Sequence, residues 1–179
     1  MNDPQERFTG LYNRYYRRVL RYALQHADPP IAEDVASETF LIAWRRLADV
    51  PESALPWLLA VARNLLRQQF GHARRQRRLA DHISALTSER DLIAWDAAEH
   101  VVERAAAIDA LAALSDDDVE TLTLVTWHGL SAAEAAAVVG CSPRAFTVRL
   151  HRARKRLADE LRVTDQSRVH QPSTSIPSE

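Results

Sequence analysis

The sequence predicts an all-α fold made of two small helical domains joined by a linker. Apolar residues recur at three- and four-residue steps along much of the chain, which is the period of amphipathic helices. Only 4 of the 179 residues are glycine, while the helix formers alanine, leucine and arginine are abundant. A hydrophobic fraction of 46% is sufficient for a folded core.

Charge divides the chain into three segments. Residues 1–79 carry 13 basic and 8 acidic side chains (+5), residues 80–120 carry 2 and 11 (−9), and residues 121–179 carry 8 and 5 (+3). The net charge of −1 therefore conceals two basic ends and an acidic middle. The basic ends suit contact with phosphates, which would repel the middle. Ordinary variation in charge between solvated helices is the alternative.

Prolines and apolar periodicity divide the first domain, residues 1–79, into three helices. Asp28-Pro29-Pro30 ends the first, because proline cannot continue the helical hydrogen-bond pattern. Glu33 and Asp34 are expected in the first turn of the second, where the helix dipole favours acids. The expected helices cover residues 4–27, residues 31–47 and residues from about 53 onward, with a turn at residues 49–51.

The remainder of the chain is expected to contain an acidic linker, a second helical domain and a short tail. Ser115 is followed by three acids and predicts the start of a helix, and Gly129 predicts its end. The Ser-, Pro- and Gln-rich residues from about Thr164 onward are expected to be disordered. The expected boundaries are 80–100 for the linker, 101–162 for the domain and 163–179 for the tail, with helices at residues 101–114 and 116–127.

A helix-turn-helix is predicted near the end of the second domain. Ser131 and Glu134 fit a capping box, in which each side chain accepts a hydrogen bond from the other residue's main-chain N–H. Gly140 ends that helix, and Ser142-Pro143 begins the next. A short turn with glycine sets two helices at a steep angle, so that the second can enter a DNA major groove. The two helices are expected at residues 132–139 and 143–161.

The second of these helices has an apolar face and a basic face. The side chains expected to be buried recur at helical spacing: Phe146, Leu150, Ala153, Leu157 and Leu161. The expected major-groove surface consists of Ser142, Arg144, Thr147, Val148, Arg149, His151, Arg152 and Lys155. Near the helix N-terminus, base edges are the expected targets of Arg144, Thr147, Val148 and His151. Phosphates are the expected targets of Arg149, Arg152, Arg154 and Lys155. A basic helix that is merely solvated is the alternative.

Two separate sequence motifs indicate a family. Residues 130–142 (LSAAEAAAVVGCS) and 148–157 (VRLHRARKRL) resemble the fourth conserved region of extracytoplasmic-function sigma factors of bacterial RNA polymerase. Residues 32–44 (AEDVASETFLIAW) are similar to the second region of that family, and residues 56–64 (PWLLAVARN) to the segment after it. The motifs occur in the family's order and spacing, so the resemblance covers most of residues 8–161.

The resemblance implies that residues 31–47 dock on the clamp helices of the largest polymerase subunit. The implied contacts are Asp34, Glu38, Leu41, Trp44 and Arg45. Exposed carboxylates would pair with a basic partner surface, and an aromatic anchor would supply buried area. Trp44 fits the domain core equally well, because Phe40 precedes it by four residues on the same face. The second domain is implied to dock on the flap of the second large subunit and to read the minus-thirty-five promoter element.

The resemblance also assigns opening of the minus-ten element to the loop at residues 48–55 and the helix after it. The side chains implied to hold the displaced single strand are Arg63, Asn64, Arg67 and Gln68. Single strands require cations along the backbone and polar groups facing the bases. An ordinary solvated face is the alternative for Arg63 and Arg67. Nonspecific phosphate contact is expected of a downstream cluster: Arg74, Arg75, Arg77 and Arg78.

The resemblance leaves open the role of the linker and the promoter sequence that is read. Linkers in this family thread through the polymerase channel that later carries RNA, and an acidic linker would imitate nucleic acid there. Simple solubility is the alternative for that linker. The recognition helix reads Arg144-Ala-Phe-Thr-Val148 where the family often has Gly-Thr-Val-Lys-Ser, so Thr147 replaces the usual lysine. The promoter sequence therefore stays open.

Two other classes of function explain less of the sequence. A stand-alone helix-turn-helix regulator accounts for residues 132–161 but leaves the motif at residues 31–64 and the acidic linker unexplained. An enzyme would require a chemical constellation. None of the seven histidines has metal-ligand spacing with a cysteine or carboxylate pair, and no phosphate-binding glycine loop or nucleophile motif occurs. We therefore expect no catalytic residue, no cofactor and no metal.

Composition also predicts the compartment. The single cysteine, Cys141, fits a reducing environment. No apolar run approaches the roughly 20 residues needed to cross a bilayer, and the first residues lack the pattern of a signal peptide. We expect a cytoplasmic protein without membrane insertion. Promoter DNA and core RNA polymerase are the implied partners, and the family resemblance adds an anti-sigma factor as a candidate.

Overall fold

The computed structural model describes residues 3–69 and 109–169, and every regular element in these ranges is helical. The expected all-α fold is therefore confirmed. The arginine cluster at residues 74–78 and the linker at residues 80–100 lie outside the described residues, as does most of the helix expected at residues 101–114. Residues 109–112 of that helix are described and are helical.

The first module, residues 3–69, contains three helices and one 3-10 turn. Asp3 caps the first helix, because its carboxylate accepts a hydrogen bond from the main-chain N–H of Gln5 at 3.0 Å. The elements are α1 (Pro4–Leu24), α2 (Pro29–Arg45), the 3-10 turn (Leu47–Asp49) and α3 (Ala54–Gln69). Their apolar faces meet in one core around Val19, Tyr22, Phe40, Leu58 and Leu59.

Three expected helix bounds in this module are wrong: the end of α1 and both ends of α2, which ends at Arg45 instead of residue 47. The helix α1 ends at Leu24, because the N–H of Gln25 already bonds back to Tyr22 across three residues instead of four. The helix α2 begins at Pro29, since proline is well tolerated in a first turn, where its missing N–H has no helical partner. The first turn of α2 therefore holds no acid, and the acids expected there, Glu33 and Asp34, lie in the second turn.

The second module, residues 109–169, contains the helices α4 (Asp116–Thr126), α5 (Ala132–Val139) and α6 (Pro143–Val169). Ser115 caps α4, because its hydroxyl accepts a hydrogen bond from the main-chain N–H of Asp118 at 3.2 Å. The expected bounds of α5 are confirmed at both ends. The chain leaves α4 through Gly129, which has a positive φ of 62°.

The helix α6 is longer than expected. It continues to Val169, through residues expected to be disordered from Thr164, because no proline or glycine interrupts it there. Leu161 is 37% exposed, so the expectation that it lies on the buried face is wrong. The buried face instead ends with Leu157, which is only partly buried.

The two modules pack against each other. One continuous cluster of buried apolar residues includes side chains from α1, α2 and α3 and from α4, α5 and α6. The closest packing between the modules is that of α3 on α5. This packing buries part of the surface of both modules. One buried residue, Arg63, is expected from the sequence to contact nucleic acid.

Candidate nucleic-acid interface

The turn between α5 and α6 is fixed by local hydrogen bonds. The N–H of Glu134 donates to the Ser131 hydroxyl at 3.3 Å, and the N–H of Ser131 donates to the Glu134 carboxylate at 2.9 Å, which completes the expected capping box. Gly140 caps the end of α5 in the left-handed region at φ 75°. The Ser142 hydroxyl then accepts from the N–H of Ala145 at 3.2 Å at the start of α6. The helix-turn-helix thus has a defined geometry.

One face of α6 anchors the helix and the other is open to solvent. Phe146 and Ala153 are fully buried, and Leu150 is nearly so. All eight residues expected on the major-groove surface are exposed: Ser142, Arg144, Thr147, Val148, Arg149, His151, Arg152 and Lys155. Arg154, expected at phosphates, is exposed as well. Val148 is an exposed apolar side chain on a basic surface, and it is suited to contact with a thymine methyl group.

An ion pair between α4 and α6 supports this surface. Nη1 of Arg156 lies 2.6 and 2.7 Å from the two carboxylate oxygens of Asp118. The Ser115 hydroxyl donates to the same carboxylate at 2.8 Å, so the capping residue of α4 also helps to hold Asp118. Nothing in the local sequence pattern separates Arg156 from the neighbouring cations, so this ion pair is not predictable from the sequence.

A second exposed surface lies along α1 and α2. Trp44 is 43% exposed, so its placement in the core is excluded, and its ring packs edge-on against Phe8 with centroids 5.0 Å apart. Tyr12 and Phe40 continue the aromatic cluster at a centroid distance of 5.0 Å. The five residues implied in polymerase docking are all exposed: Asp34, Glu38, Leu41, Trp44 and Arg45. The exposed face of α2 therefore combines one aromatic side chain, Trp44, with charged side chains, next to the exposed Tyr12 of α1.

The residues implied in single-strand binding are divided by the structure. Asn64, Arg67 and Gln68 are exposed near the end of α3. Arg63 is only 9% exposed, so the alternative that it lies on a solvated face is wrong. Its Nε and Nη2 atoms donate to the two carboxylate oxygens of Glu120 at 2.8 and 3.1 Å. A bidentate ion pair with the second module thus engages this guanidinium.

Glu120 is the centre of the contact between the modules. Tyr22 donates its hydroxyl to Glu120 Oε1 at 2.6 Å, in addition to the two bonds from Arg63. Burial alone would raise the pKa of Glu120, but the hydrogen bonds from Arg63 and Tyr22 and nearby positive charge lower the pKa below its ordinary value. Burial and the adjacent carboxylate raise the pKa of Tyr22 well above its ordinary value. Glu120 is therefore a carboxylate and Tyr22 a neutral donor near neutral pH.

Histidine 128 is a buried part of the same contact. Its side chain is 2% exposed, and its main-chain carbonyl accepts a hydrogen bond from the guanidinium of Arg18. Burial, and then the positive charges of Arg18 and Arg21, lower the pKa of His128 to about 4. The imidazole is therefore neutral at pH 7.

The described residues offer neither a metal site nor a membrane span. Within residues 3–69 and 109–169, no group of three or more His, Cys, Asp or Glu side chains is arranged to hold a metal ion. No helix in those ranges is long and apolar enough to cross a bilayer.

Two family models and several known proteins match this chain. The family described as sigma-70 region 2 matches residues 11–79, and the family described as sigma-70 region 4 matches residues 104–157. The ECF RNA polymerase sigma factor SigL of Mycobacterium tuberculosis is 31% identical over 162 residues, which cover 87% of this chain and 90% of that protein. The probable RNA polymerase sigma factor RfaY of Xanthomonas campestris is 36% identical over 140 residues, which cover 75% of this chain but 35% of that protein.

A solved structure shows the same fold. The sigma factor RpoE of Bartonella quintana, crystallised with the anti-sigma factor NepR, superposes with a TM-score of 0.60 at 25% sequence identity. The match covers 87% of this chain and 97% of RpoE. The regular elements of the described residues are all helical and include an exposed basic helix-turn-helix, which is typical of the helix-turn-helix class of DNA-binding proteins. Within that class, the chain belongs to the extracytoplasmic-function (ECF) family of RNA polymerase sigma factors.

Proposed function

We propose that this chain binds core RNA polymerase and directs promoter-specific initiation of transcription. The observation that carries the proposal is that one chain presents two exposed surfaces on two modules. One is the basic face of α6, and the other is the exposed face of α2, which carries Trp44 and acidic side chains. The chain spans 35% of the length of RfaY and 59% of the length of the Streptomyces coelicolor factor BldN.

The basic face of α6 reads the minus-thirty-five element in the major groove. The residues in its first turns face the base edges: Arg144, Thr147, Val148 and His151. Cations further along contact phosphates and set affinity more than sequence choice: Arg149, Arg152 and Lys155. The hydroxyl of Thr147 donates to the carbonyl of Pro143 at 3.0 Å, which leaves its lone pairs to accept from a base.

The exposed face of α2 binds the polymerase. The aromatic surface of Trp44 and the adjacent Leu41 supplies apolar area, while Asp34 and Glu38 supply charge for a basic partner surface. Arg45 adds a cation at the end of the helix. The clamp helices of the largest subunit are the proposed partner, and the flap of the second large subunit is proposed for the second module.

The end of α3 holds the displaced strand of the minus-ten element. Asn64, Arg67 and Gln68 are exposed there and combine one cation with two amides that can donate and accept hydrogen bonds. Arg63 lies one helical turn before Arg67 and joins this surface once its contact with Glu120 is released. The module boundaries proposed for these roles are residues 1–79 and 101–162, with residues 80–100 as linker.

Further properties follow from this role. The protein is non-catalytic, requires no cofactor or metal and works in the cytoplasm, where the polymerase is. An anti-sigma factor is a proposed partner, supported by the RpoE structure, which was solved with one. A stand-alone regulator remains the second candidate, but such a protein would have no use for the exposed aromatic face of α2.

Run-off transcription with core polymerase on a library of upstream regions tests the proposal. Addition of this protein is expected to produce promoter-specific transcripts that core polymerase alone does not make. Trp44→Ala is expected to reduce transcription and polymerase binding by about tenfold or more, as for an interface anchor worth at least 1.4 kcal/mol. Trp127→Ala is the matched control, because Trp127 is similarly exposed at 39% but lies on the second module.

Specific binding to duplex DNA with no effect on core polymerase would contradict the proposal and favour the regulator. Equal losses of binding from both tryptophan variants to an isolated clamp-helix fragment of the largest subunit would show that the assignment of the docking surface to α2 is wrong, because the second module is proposed to contact the flap and not the clamp.

A further inference from the structure

The position of Arg63 conflicts with its role in holding DNA. The guanidinium of Arg63 is bonded through two nitrogens to both oxygens of Glu120, at 2.8 and 3.1 Å, and its Nη1 atom lies 3.4 Å from the carbonyl oxygen of Val139. The side chains of Arg63 and Glu120 are 11% and 8% exposed. A phosphate cannot approach a guanidinium whose fork is already filled.

The contact between the modules extends beyond this pair. The Thr123 hydroxyl lies 3.2 Å from the Gln25 amide oxygen, also buried, and so continues the polar contact along α4 and α1. Ser53 donates to the Glu134 carboxylate at 3.2 Å at the exposed edge. Arg18 bonds to the main chain at His128. Polar contacts thus join several elements of the two modules, and Glu120 is bonded to both Arg63 and Tyr22.

The charge on α4 matches the surface that it covers. Four of the eleven acids of residues 80–120 lie in this helix: Asp116, Asp117, Asp118 and Glu120. Asp116, Asp117 and Glu120 line a small cavity together with Arg63 and Arg67, the two cations of the proposed single-strand surface. An acidic helix face therefore lies where a nucleic-acid backbone would lie.

We propose that the acidic face of α4 is an intramolecular partner of the single-strand surface of α3, in which the Glu120 carboxylate occupies the position of a DNA phosphate on Arg63. A carboxylate and a phosphate present the same pair of oxygens to the guanidinium fork, so the two compete for one site. This inference rests on the proposed function, since it requires that Arg63 binds the promoter strand.

The competition makes strand binding depend on separation of the modules. When the binding-competent form is a minor population, the apparent affinity is reduced by the fraction that is open. Loss of the Glu120 charge leaves Arg63 buried without a counterion, which strongly disfavours the closed arrangement. The open fraction, and with it the affinity for single-stranded DNA, should rise.

The test uses the full chain without polymerase and a fluorescein-labelled 20-nucleotide single-stranded DNA of mixed sequence. Glu120→Gln keeps the volume of the side chain and removes its charge. We expect about tenfold tighter binding by fluorescence anisotropy, together with an increased radius of gyration by small-angle X-ray scattering. Asp159→Asn is the matched control, because it removes the same charge from an exposed surface pair with Arg162 on α6.

Two further variants complete the design. Tyr22→Phe removes one hydrogen bond to Glu120 and changes no charge near neutral pH, so a smaller gain in binding from it cannot be a general electrostatic effect. It also keeps the test usable if Glu120→Gln does not fold. In the double variant Arg63→Met/Glu120→Gln, the gain should disappear, since the competed cation is absent.

The proposal is overturned if Asp159→Asn gains as much affinity as Glu120→Gln, if neither Glu120→Gln nor Tyr22→Phe gains more than that control, or if the gain persists without Arg63. It is also overturned if the modules separate without any gain. Failure of the proposed function gives a different result, namely no promoter-specific transcripts from the wild-type chain with core polymerase.

Discussion

The buried carboxylate of Glu120 accepts hydrogen bonds from two side chains of the other module, Arg63 and Tyr22. A buried charge is tolerated only when it is paired and hydrogen-bonded, and removal of one partner costs about 3–5 kcal/mol. The ion pair therefore contributes little net stability, but it fixes the position of its two side chains relative to each other. It makes the packing of the two modules depend on both charges being present.

Histidine 128 should make the stability of the protein depend on pH. Its folded-state pKa of about 4 lies below the ordinary value of 6.5, so the unfolded chain binds a proton more readily than the folded one. The stability contribution of the neutral imidazole is complete above pH 6.5 and declines as the pH falls toward 4. Between pH 7.5 and pH 5 the loss is about 2 kcal/mol.

Urea unfolding of the wild type and of His128→Gln across this pH range measures the effect. The variant should be less stable at pH 7.5 but should lose less stability on acidification. His151→Gln is the control, because it makes the same substitution at an exposed position on α6. Parallel pH profiles for the wild type and His128→Gln would refute this prediction.

Two glycines have opposite effects on the stability of the helices that contain them or end at them. Gly140 ends α5 at φ 75°, where a side chain strains the backbone, whereas Gly10 lies within α1 with open space where a Cβ would be. Gly140→Ala should therefore destabilise the protein by roughly 1–2 kcal/mol. Gly10→Ala should stabilise it by about 0.8–1.0 kcal/mol, because alanine is the better helix former.

Thermal and urea unfolding of the two variants measure both effects. If Gly140→Ala does not lower the free energy of unfolding, the left-handed cap of α5 is not a determinant of stability; if Gly10→Ala does not raise it, the prediction for α1 is wrong.

The basic face of α6 should divide into two kinds of DNA contact. Replacement of Arg149 and Lys155 by alanine should weaken binding to all duplexes alike and reduce the salt dependence by about one counterion per lost contact. Replacement of Arg144 or Thr147 should instead change which minus-thirty-five sequence is preferred. Selection from a duplex library at two salt concentrations distinguishes these effects, and identical behaviour of both sets would contradict the division.

In the whole molecule, two modules that the sequence predicts as separate domains pack against each other. A common apolar core and the Arg63–Glu120 pair hold α3 against α4 and α5. The exposed surfaces of α2 and α6 stay open in this arrangement, while part of the surface of α3 is covered. Polymerase docking and minus-thirty-five recognition are thus compatible with the exposed residues, and strand binding by Arg63 requires a change of arrangement.

The sequence by itself determined the helices, their caps and the solvent-facing basic surface of α6. These features depend on residues within one or two helical turns, such as the Ser131–Glu134 capping box and the apolar spacing from Phe146 to Ala153. The predicted helix bounds were less accurate where a proline can begin a helix, as at Pro29. They were also less accurate where no proline or glycine ends a helix, as after Leu161.

Only the tertiary structure decided the environment of Arg63. Its partner Glu120 lies 57 residues away in the sequence, in a segment that charge alone assigned to the acidic middle of the chain. Local periodicity cannot distinguish a solvated arginine from one that is paired across an interface, because burial depends on which distant surface packs against it. In the tertiary structure, a residue that the sequence predicts to contact DNA is covered by the protein itself.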